Sequence, residues 1–421
     1  MPYTDNQVML TLAGLTYRGF QDFLPGEPHA YVVRRAVLDG LQTLAPVRNE
    51  WKLVWGPVTS RVPYGVFDSS AMYIVRNVQV PSRYVVAIRG TNPIASSDWL
   101  FGDFLVGTTV QWPYANDNAA ISTSTALGLA MLQDMRPQAP SIVARFAEAS
   151  SAAVRDALDG LIRSGRAWVS GTTEALAAHP LALTAQVEKI VAHWLAHKSI
   201  RDDLRDQLQR AAATVRVNPA DLKRKPLPAT PHEVGVDLLT FLKQQADTNS
   251  KALEVIVTGH SKGGALAPTV ALWLTDALNS PDPAECWDAR RRAEVLSYAF
   301  AGPTPGNAAL ANRIDQVLGR HHHHLRNMND IVTQAWQEDD LQHISNLYGS
   351  RSAPFGPLLR DIIADVQKLD YRHAPGDIVT FTGGLDLHRS LGMEIVYQHM
   401  DAYLAELKLL EQGITAATFF I

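Results

Sequence analysis

Disulfides are out of reach for this chain. Cys286 is its single cysteine, so no intrachain pair can close and a disulfide-stapled secreted scaffold is excluded. Long apolar runs are missing too. No stretch approaches the about 18 uninterrupted apolar residues that a membrane-spanning helix needs. Met1 to Phe20 has no basic segment followed by an apolar one, so no signal peptide is expected. The expected location is cytoplasmic, or exported without a recognisable signal. Charge of one sign is lacking as well: 38 Lys and Arg face 42 Asp and Glu, a formal net charge of -4. No basic stripe with interleaved aromatics appears, so nucleic acid is not an expected partner. The short runs Lys223-Arg224-Lys225 and Arg290-Arg291-Arg292 are read as solvated surface.

What is present supports a large globular core. Hydrophobic residues make up 46% of the 421 and charged residues 19%, an ordinary globular balance. The chain centres on Val255-Ile256-Val257-Thr258-Gly259-His260-Ser261-Lys262-Gly263-Gly264. A β-branched apolar run precedes Gly-x-Ser-x-Gly, and an Ala- and Leu-rich helical pattern runs from Ala265 to Leu278. Strand, tight turn and helix with a serine at the apex form the nucleophile elbow of an α/β-hydrolase. The helix points its free N–H groups and positive dipole end at the serine, where an oxyanion would form on an attacked ester. The backbone N–H of Lys262, the residue after the serine, is expected to be one oxyanion donor.

Around this centre the periodicities predict helices at residues 5–20, 30–44, 121–134 and 234–245. Strands are predicted at Trp51 to Trp55, Ala71 to Val80, Arg83 to Arg89 and Val295 to Ala301, with a turn at Pro81-Ser82. Tyr84 to Ile88 is apolar throughout, as a strand buried on both faces should be. Between Pro137 and Pro231 the composition shifts to Ala, Arg, Gln, Asp and Leu with helical stripes, such as Val154, Leu158, Leu161 and Ile162. The expected organisation is an α/β fold: a mostly parallel sheet flanked by helices, its core formed by residues 1–136 and 232–421 and interrupted by a helical insertion at 137–231. The insertion could be a lid or cap beside the site, a lipid-surface contact, or a partner-binding appendage. Helical stripes alone fit all three.

Four ordered motifs resemble the class 3, or fungal-type, lipases. They are Arg89-Gly90-Thr91 at a strand end with Asp98, Trp99 and Asp103 following, Gly259-His260-Ser261-Lys262-Gly263-Gly264, Phe300-Ala301-Gly302-Pro303-Thr304-Pro305-Gly306-Asn307, and Asn327-Met328-Asn329-Asp330-Ile331-Val332. The chain departs from that pattern in its much longer insertion, in Thr333 where proline usually follows, and in Lys262 where an apolar residue is usual. The resemblance implies that Thr91 supplies the second oxyanion donor.

A serine hydroxyl needs an adjacent base, and the base needs a buried carboxylate. In this fold the order is serine, carboxylate, histidine. Asp330, Asp377 and Asp386 follow Ser261, and His343, His373, His388 and His399 follow Asp330. The motif match favours Asp330. The family's catalytic histidine, placed beside the C-terminal helix with a tyrosine a few residues on, corresponds to His399, here read as lying just ahead of a helix at Leu404 to Leu410. His321 to His324 suggest a metal, but strand alternation sends neighbours to opposite faces and no Cys or carboxylate cluster accompanies them. They are read as a partly exposed strand. The expected function is a serine carboxylic ester hydrolase, a triacylglycerol lipase or esterase acting on a lipid or small ester without cofactor or metal. A phospholipase, and a catalytically silent fold whose insertion binds a partner, are the alternatives.

Overall fold

The computed structural model describes residues 2–19, 29–60, 70–90, 106–137, 218–225, 235–386 and 388–420. Two helices open the chain, α1 (Asp5–Leu15) and α2 (His29–Thr43). Thr4 caps α1 in a reciprocal box with Gln7. Three strands follow, β1 (Trp51–Ser60), β2 (Ser70–Asn77) and β3 (Arg83–Ile88), then the short pair β4 (Thr109–Gln111) and β5 (Ala120–Ser122), and helix α3 (Thr123–Asp134). Next come α4 (Leu238–Thr248), β6 (Glu254–His260), α5 (Lys262–Leu278), β7 (Glu294–Phe300), α6 (Ala308–Leu318) and β8 (His322–Asn327). The chain closes with α7 (Glu338–Leu347), α8 (Gly356–Val366), β9 (Asp377–Phe381), α9 (Leu391–His399), α10 (Asp401–Glu406) and α11 (Ala416–Phe420).

The central sheet has the order β1-β2-β3-β6-β7-β8-β9. The pairings β1/β2 and β2/β3 are antiparallel, and the four from β3 to β9 are parallel. Alternation along the strands assigns each side chain a face. Tyr84, Val86, Ile88, Val255 and Val257 enter a core shared with α3, α4, α5 and α6. Val85, Ala87 and Ile256 face the opposite core, beneath α1 and α2. A parallel strand covered on both faces favours apolar residues throughout, and that is why Tyr84 to Ile88 in β3 and Val255 to Val257 in β6 read as hydrophobic runs. The expected α/β architecture is therefore present. A third, smaller cluster joins α7 and α8 to Trp336, Tyr371 and Ile395 beyond the carboxyl ends of β8 and β9.

Several boundaries differ from the sequence reading. The helix expected from residue 234 starts at Leu238, because the Asp237 side chain accepts from the Thr240 N–H at 2.8 Å and sets the first turn there. The helix after Ser261 begins at once, at Lys262. His399 ends α9 and lies just ahead of the next helix, as expected, but that helix is α10 at Asp401–Glu406 rather than Leu404 to Leu410.

The expected insertion at 137–231 lies outside the described residues from 138 to 217 and from 226 to 231. Its remaining part is docked on the core. Leu222 is fully buried, and its carbonyl accepts from Gln133 Nε2 at 2.8 Å. Lys223, Arg224 and Lys225, read as solvated surface, each have a partner: the Tyr114 ring, Asp134 and Asp282. The run Arg290 to Arg292 is likewise a staple. Its guanidinium groups donate to the carbonyls of Ala246 and Asn249, of Ser280, and of Ser250. Among the described residues no helix is long and apolar enough to cross a membrane.

Candidate active site

Strand β6 ends at His260 and α5 starts at Lys262, so the chain must reverse at a single residue. Ser261 does this with φ 62° and ψ −130°, a region that costs a non-glycine residue roughly 1–3 kcal/mol. The surrounding backbone holds it there. The Ser261 N–H donates to the Phe300 carbonyl at 2.9 Å, and the Gly264 N–H donates to the Ser261 carbonyl at 2.7 Å. The glycines on either side are steric necessities. A Cβ on Gly259 would collide with the Gly263 carbonyl, and one on Gly263 would lie 2.6 Å from the Ile88 carbonyl oxygen. While the N–H groups of Gly264 and Ala265 turn back to the Ser261 carbonyl, those of Lys262 and Gly263 precede the first helical acceptor of the 17-residue α5, at the end that meets Ser261.

The end of β3 closes in from the side. Gly90 lies so near that a Cβ there would sit 2.9 Å from the Ser261 Cβ. Its N–H donates to the Tyr17 hydroxyl at 3.2 Å, and that hydroxyl reaches the His260 carbonyl, also at 3.2 Å. Tyr17, just past α1, thus ties the β3 end to the β6 end. Thr91, Asp98 and Asp103 lie outside the described residues.

Asp330 stands three residues past the end of β8 and is fully buried. Its Oδ2 accepts from His399 Nδ1 at 2.9 Å and from the Tyr403 hydroxyl at 3.1 Å, and its Oδ1 accepts from the Val332 N–H at 2.9 Å. Because Nδ1 gives its proton to a carboxylate, Nε2 of His399 is left as the acceptor. His399 is brought to the elbow by His260. Nε2 of His260 faces the His399 carbonyl at 2.8 Å, and the two rings lie 4.6 Å apart between centroids. A carbonyl only accepts, so that Nε2 carries the proton. Burial, and then the neighbouring His399, hold the His260 pKa well below its ordinary value. A neutral ring there adds no positive charge to compete with protonation of His399. Two helix ends complement each other: the serine meets the N-terminus of α5, while His399 sits at the C-terminus of α9, where a cation is favoured.

The other sequence candidates go elsewhere. Asp377 begins β9 and pairs with His323 Nδ1 at 2.8 Å. Asp386 accepts from the His388 N–H, and His388 and His343 are exposed. His373 Nε2 binds the Thr333 carbonyl at 3.0 Å. The four-histidine run needs a correction: it is not a partly exposed strand throughout. His322 and His324 are buried on one face of β8, while the His323 side chain is 27% exposed. Among the described residues no group of three His, Cys, Asp or Glu is placed to hold a metal. Tyr17 and Tyr403 were not singled out as site residues. Tyr17 lies in no local motif, Tyr403 was noted only as the tyrosine that follows His399, and both act across long sequence separations.

Beside Lys262 a crevice opens between α3 and α5. Ser124, Thr304, Ala265, Leu266 and Trp336 line it with Lys262. It offers a short apolar wall and a few hydroxyl groups next to the elbow.

Residues 231–339 match the family model described as lipase (class 3). Among solved structures, M37 lipase is similar over 99% of this chain and 96% of its own, at 25% identity and a TM-score of 0.67. A triacylglycerol lipase from Penicillium expansum aligns over 90% of this chain and 80% of its own, at 10% identity and a TM-score of 0.36. No curated protein sequence matches the chain. The match over residues 231–339 and the likeness to M37 lipase support the class 3 lipase family, on a chain with the elbow and sheet order of an α/β-hydrolase.

Proposed function

We propose that the chain hydrolyses carboxylic esters of lipids, triacylglycerols in the first place, through an acyl-enzyme on Ser261. The observation that carries this reading is the 2.9 Å bond between His399 Nδ1 and a buried Asp330, next to a serine held at a strained strand–helix turn. Ser261 Oγ attacks the ester carbonyl carbon while His399 Nε2 takes the hydroxyl proton. Asp330 fixes the tautomer of His399 and stabilises the imidazolium that forms. The oxyanion is met by the Lys262 N–H and by Thr91. The tetrahedral adduct collapses and the alcohol leaves with the proton from His399. A water molecule, deprotonated by His399, then attacks the acyl carbon. The fatty acid departs and the Ser261 hydroxyl is restored.

The test compares the protein with Ser261→Ala on p-nitrophenyl esters of graded acyl length, on emulsified triacylglycerol and on phospholipid vesicles. Removing a nucleophile of this kind lowers kcat by roughly 10⁴-fold or more. Equal rates for the two proteins refute the assignment. Activity confined to phospholipid vesicles replaces triacylglycerol with phospholipid as the substrate.

A further inference from the structure

Behind the His399–Asp330 pair lies a buried polar chain that the hydrolytic steps do not use. Glu394 and Gln398 are one turn apart on α9, the helix that ends in His399, and both are fully buried. Glu394 Oε1 accepts from Gln398 Nε2 at 2.7 Å. Its Oε2 accepts from Arg389 Nη1 at 3.4 Å and from the Asp386 N–H at 3.3 Å. Burying a carboxylate costs several kcal/mol unless it is well paired, and apolar residues of similar size are often the more stable choice. Docking α9 on the sheet therefore does not by itself call for a glutamate at this place.

The carboxylate does supply direction. It only accepts, so the amide nitrogen of Gln398 must face it. The second hydrogen of that nitrogen goes to the Gly384 carbonyl at 2.9 Å. Gln398 Oε1 is thereby turned towards Asn327 at the end of β8, whose Nδ2 donates to it at 2.8 Å and to the Gln398 carbonyl at 2.8 Å. Asn327 Oδ1 is then left to accept from the N–H groups of Gly383 at 2.9 Å and Asn329 at 3.1 Å. One acidic side chain sets the orientation of two carboxamides in series. The chain ends at the site: the Asn327 N–H donates to the Tyr403 hydroxyl at 2.9 Å, and that hydroxyl donates to Asp330 Oδ2. Gln398 immediately precedes His399, and Asn327 stands three residues before Asp330. Asn327 Nδ2 thus joins the two segments that carry the dyad, through both the side chain and the carbonyl of Gln398.

We propose that Glu394 and Gln398 are positioning residues of the Ser261 site, which lock the His399-bearing end of α9 to the Asp330-bearing end of β8 and so fix the His399–Asp330 hydrogen bond. The proposal rests on the assignment of His399 and Asp330 made above. A glutamine at 394 could accept from Gln398, or present its oxygen to Arg389 and the Asp386 N–H, but not both. Either choice breaks the directional series.

The test uses Glu394→Gln and, as a second variant that keeps the Asn327 bond to the residue-398 carbonyl, Gln398→Met. Each is measured for kcat and KM on a soluble short-chain ester, for the pH dependence of kcat/KM, and for the low-field proton resonance of His399 Nδ1–H. Val295→Ala, a core substitution at the far end of β7, serves as the reference for general loss of stability. The expected result is a kcat lower by roughly tenfold to a hundredfold, as for a small misplacement of a catalytic group, with KM within about twofold. The acid limb of the pH profile and the low-field resonance move in the same variants and not in Val295→Ala. An unchanged kcat and resonance in both variants overturns the proposal, as do changes that Val295→Ala reproduces at the same drop in Tm. The resonance does not depend on turnover, so failure here is distinct from ester activity surviving in Ser261→Ala, which would instead sink the functional assignment.

Discussion

The buried histidines make acid the most informative perturbation of this fold. Among the described residues four rings sit out of water: His260, His322, His324 and the side chain of His373. Burial lowers the pKa of each. Neighbouring groups add to it: His399 acts on His260, His323 on His322, and His373, His322 and Arg326 on His324. Arg326 and His322 act on His373. Asp340, which holds Arg326 at 2.8 Å and stands 3.9 Å from His373 Nε2, is the carboxylate facing this group. For His322 the pKa comes down to about 4.

The sign follows from linkage. Each ring is neutral in the folded protein and binds a proton in the unfolded chain below about pH 6.5. Stability is therefore complete above that pH and is lost as the pH falls towards the folded-state pKa. With its folded pKa at about 4, His322 alone costs about 2 kcal/mol between pH 7 and pH 5, and His260, His324 and His373 add to the loss in the same direction, against a typical total of about 5–15 kcal/mol. Burial raises the carboxyl pKa of Asp276, Asp401 and Glu254, which works in the opposite direction and trims the slope. Guanidinium unfolding followed by tryptophan fluorescence at pH 7, 6 and 5 reads the effect directly. The expectation is a steep fall in unfolding free energy, with about two to four protons taken up per molecule unfolded. His324→Leu is the decisive variant, because His324 Nε2 is buried with no hydrogen-bond partner among the described residues. It should recover part of the loss at pH 5. A stability that stays level from pH 7 to pH 5, or a slope that His324→Leu leaves unchanged, refutes the reasoning.

Two further outcomes are expected. Gly90→Ala would push a methyl group into the Tyr17 hydroxyl, the His260 carbonyl and the Ser261 Cβ, so ester turnover should drop by roughly 10²-fold or more while the far-ultraviolet circular dichroism is retained. Leu222→Ala empties a fully buried position on which residues 218–225 are docked. It should cost about 2–5 kcal/mol, read as a lower Tm in scanning calorimetry with kcat unchanged.

The fold was legible where one physical demand governs a contiguous stretch. Tyr84 to Ile88 and Val255 to Val257 must be apolar on both faces, and Gly259 and Gly263 must lack a Cβ. Such demands leave a local pattern. The elbow could be read from that pattern, whereas Asp330 and His399 followed from the resemblance to the class 3 lipases. The supports could be read from neither. Asn327 meets Gln398 across 71 residues, Tyr403 meets Asp330 across 73, and Tyr17 meets His260 across 243. No periodicity records such pairings. The charge runs are surface, as read, with Lys223 and Lys225 exposed, but their partners Tyr114, Asp134 and Asp282 are brought up by other parts of the chain. Alternation in His321 to His324 was readable, but the burial of one face depends on elements far away, with Ser297 beside His322 and the His373 ring beside His324.

Thr333 shows why a departure from a motif can carry information that a match does not. As a replacement for the usual proline it looked minor in the sequence. In the fold it is fully buried and serves as a junction. Its hydroxyl accepts from Arg326 Nε at 3.2 Å and donates to the Gly302 carbonyl at 3.3 Å, while its carbonyl accepts from Arg326 Nη2 and His373 Nε2, each at 3.0 Å. A proline would keep the carbonyl and lose the hydroxyl. The Arg326 Nε donor and the Gly302 carbonyl would then both be without this partner inside the core, at about 1–3 kcal/mol for each buried group left unsatisfied. Threonine at 333 is thus tied to arginine at 326. The loop that carries Asp330 lies between them, held to β8 at one end and to the Gly302 turn at the other.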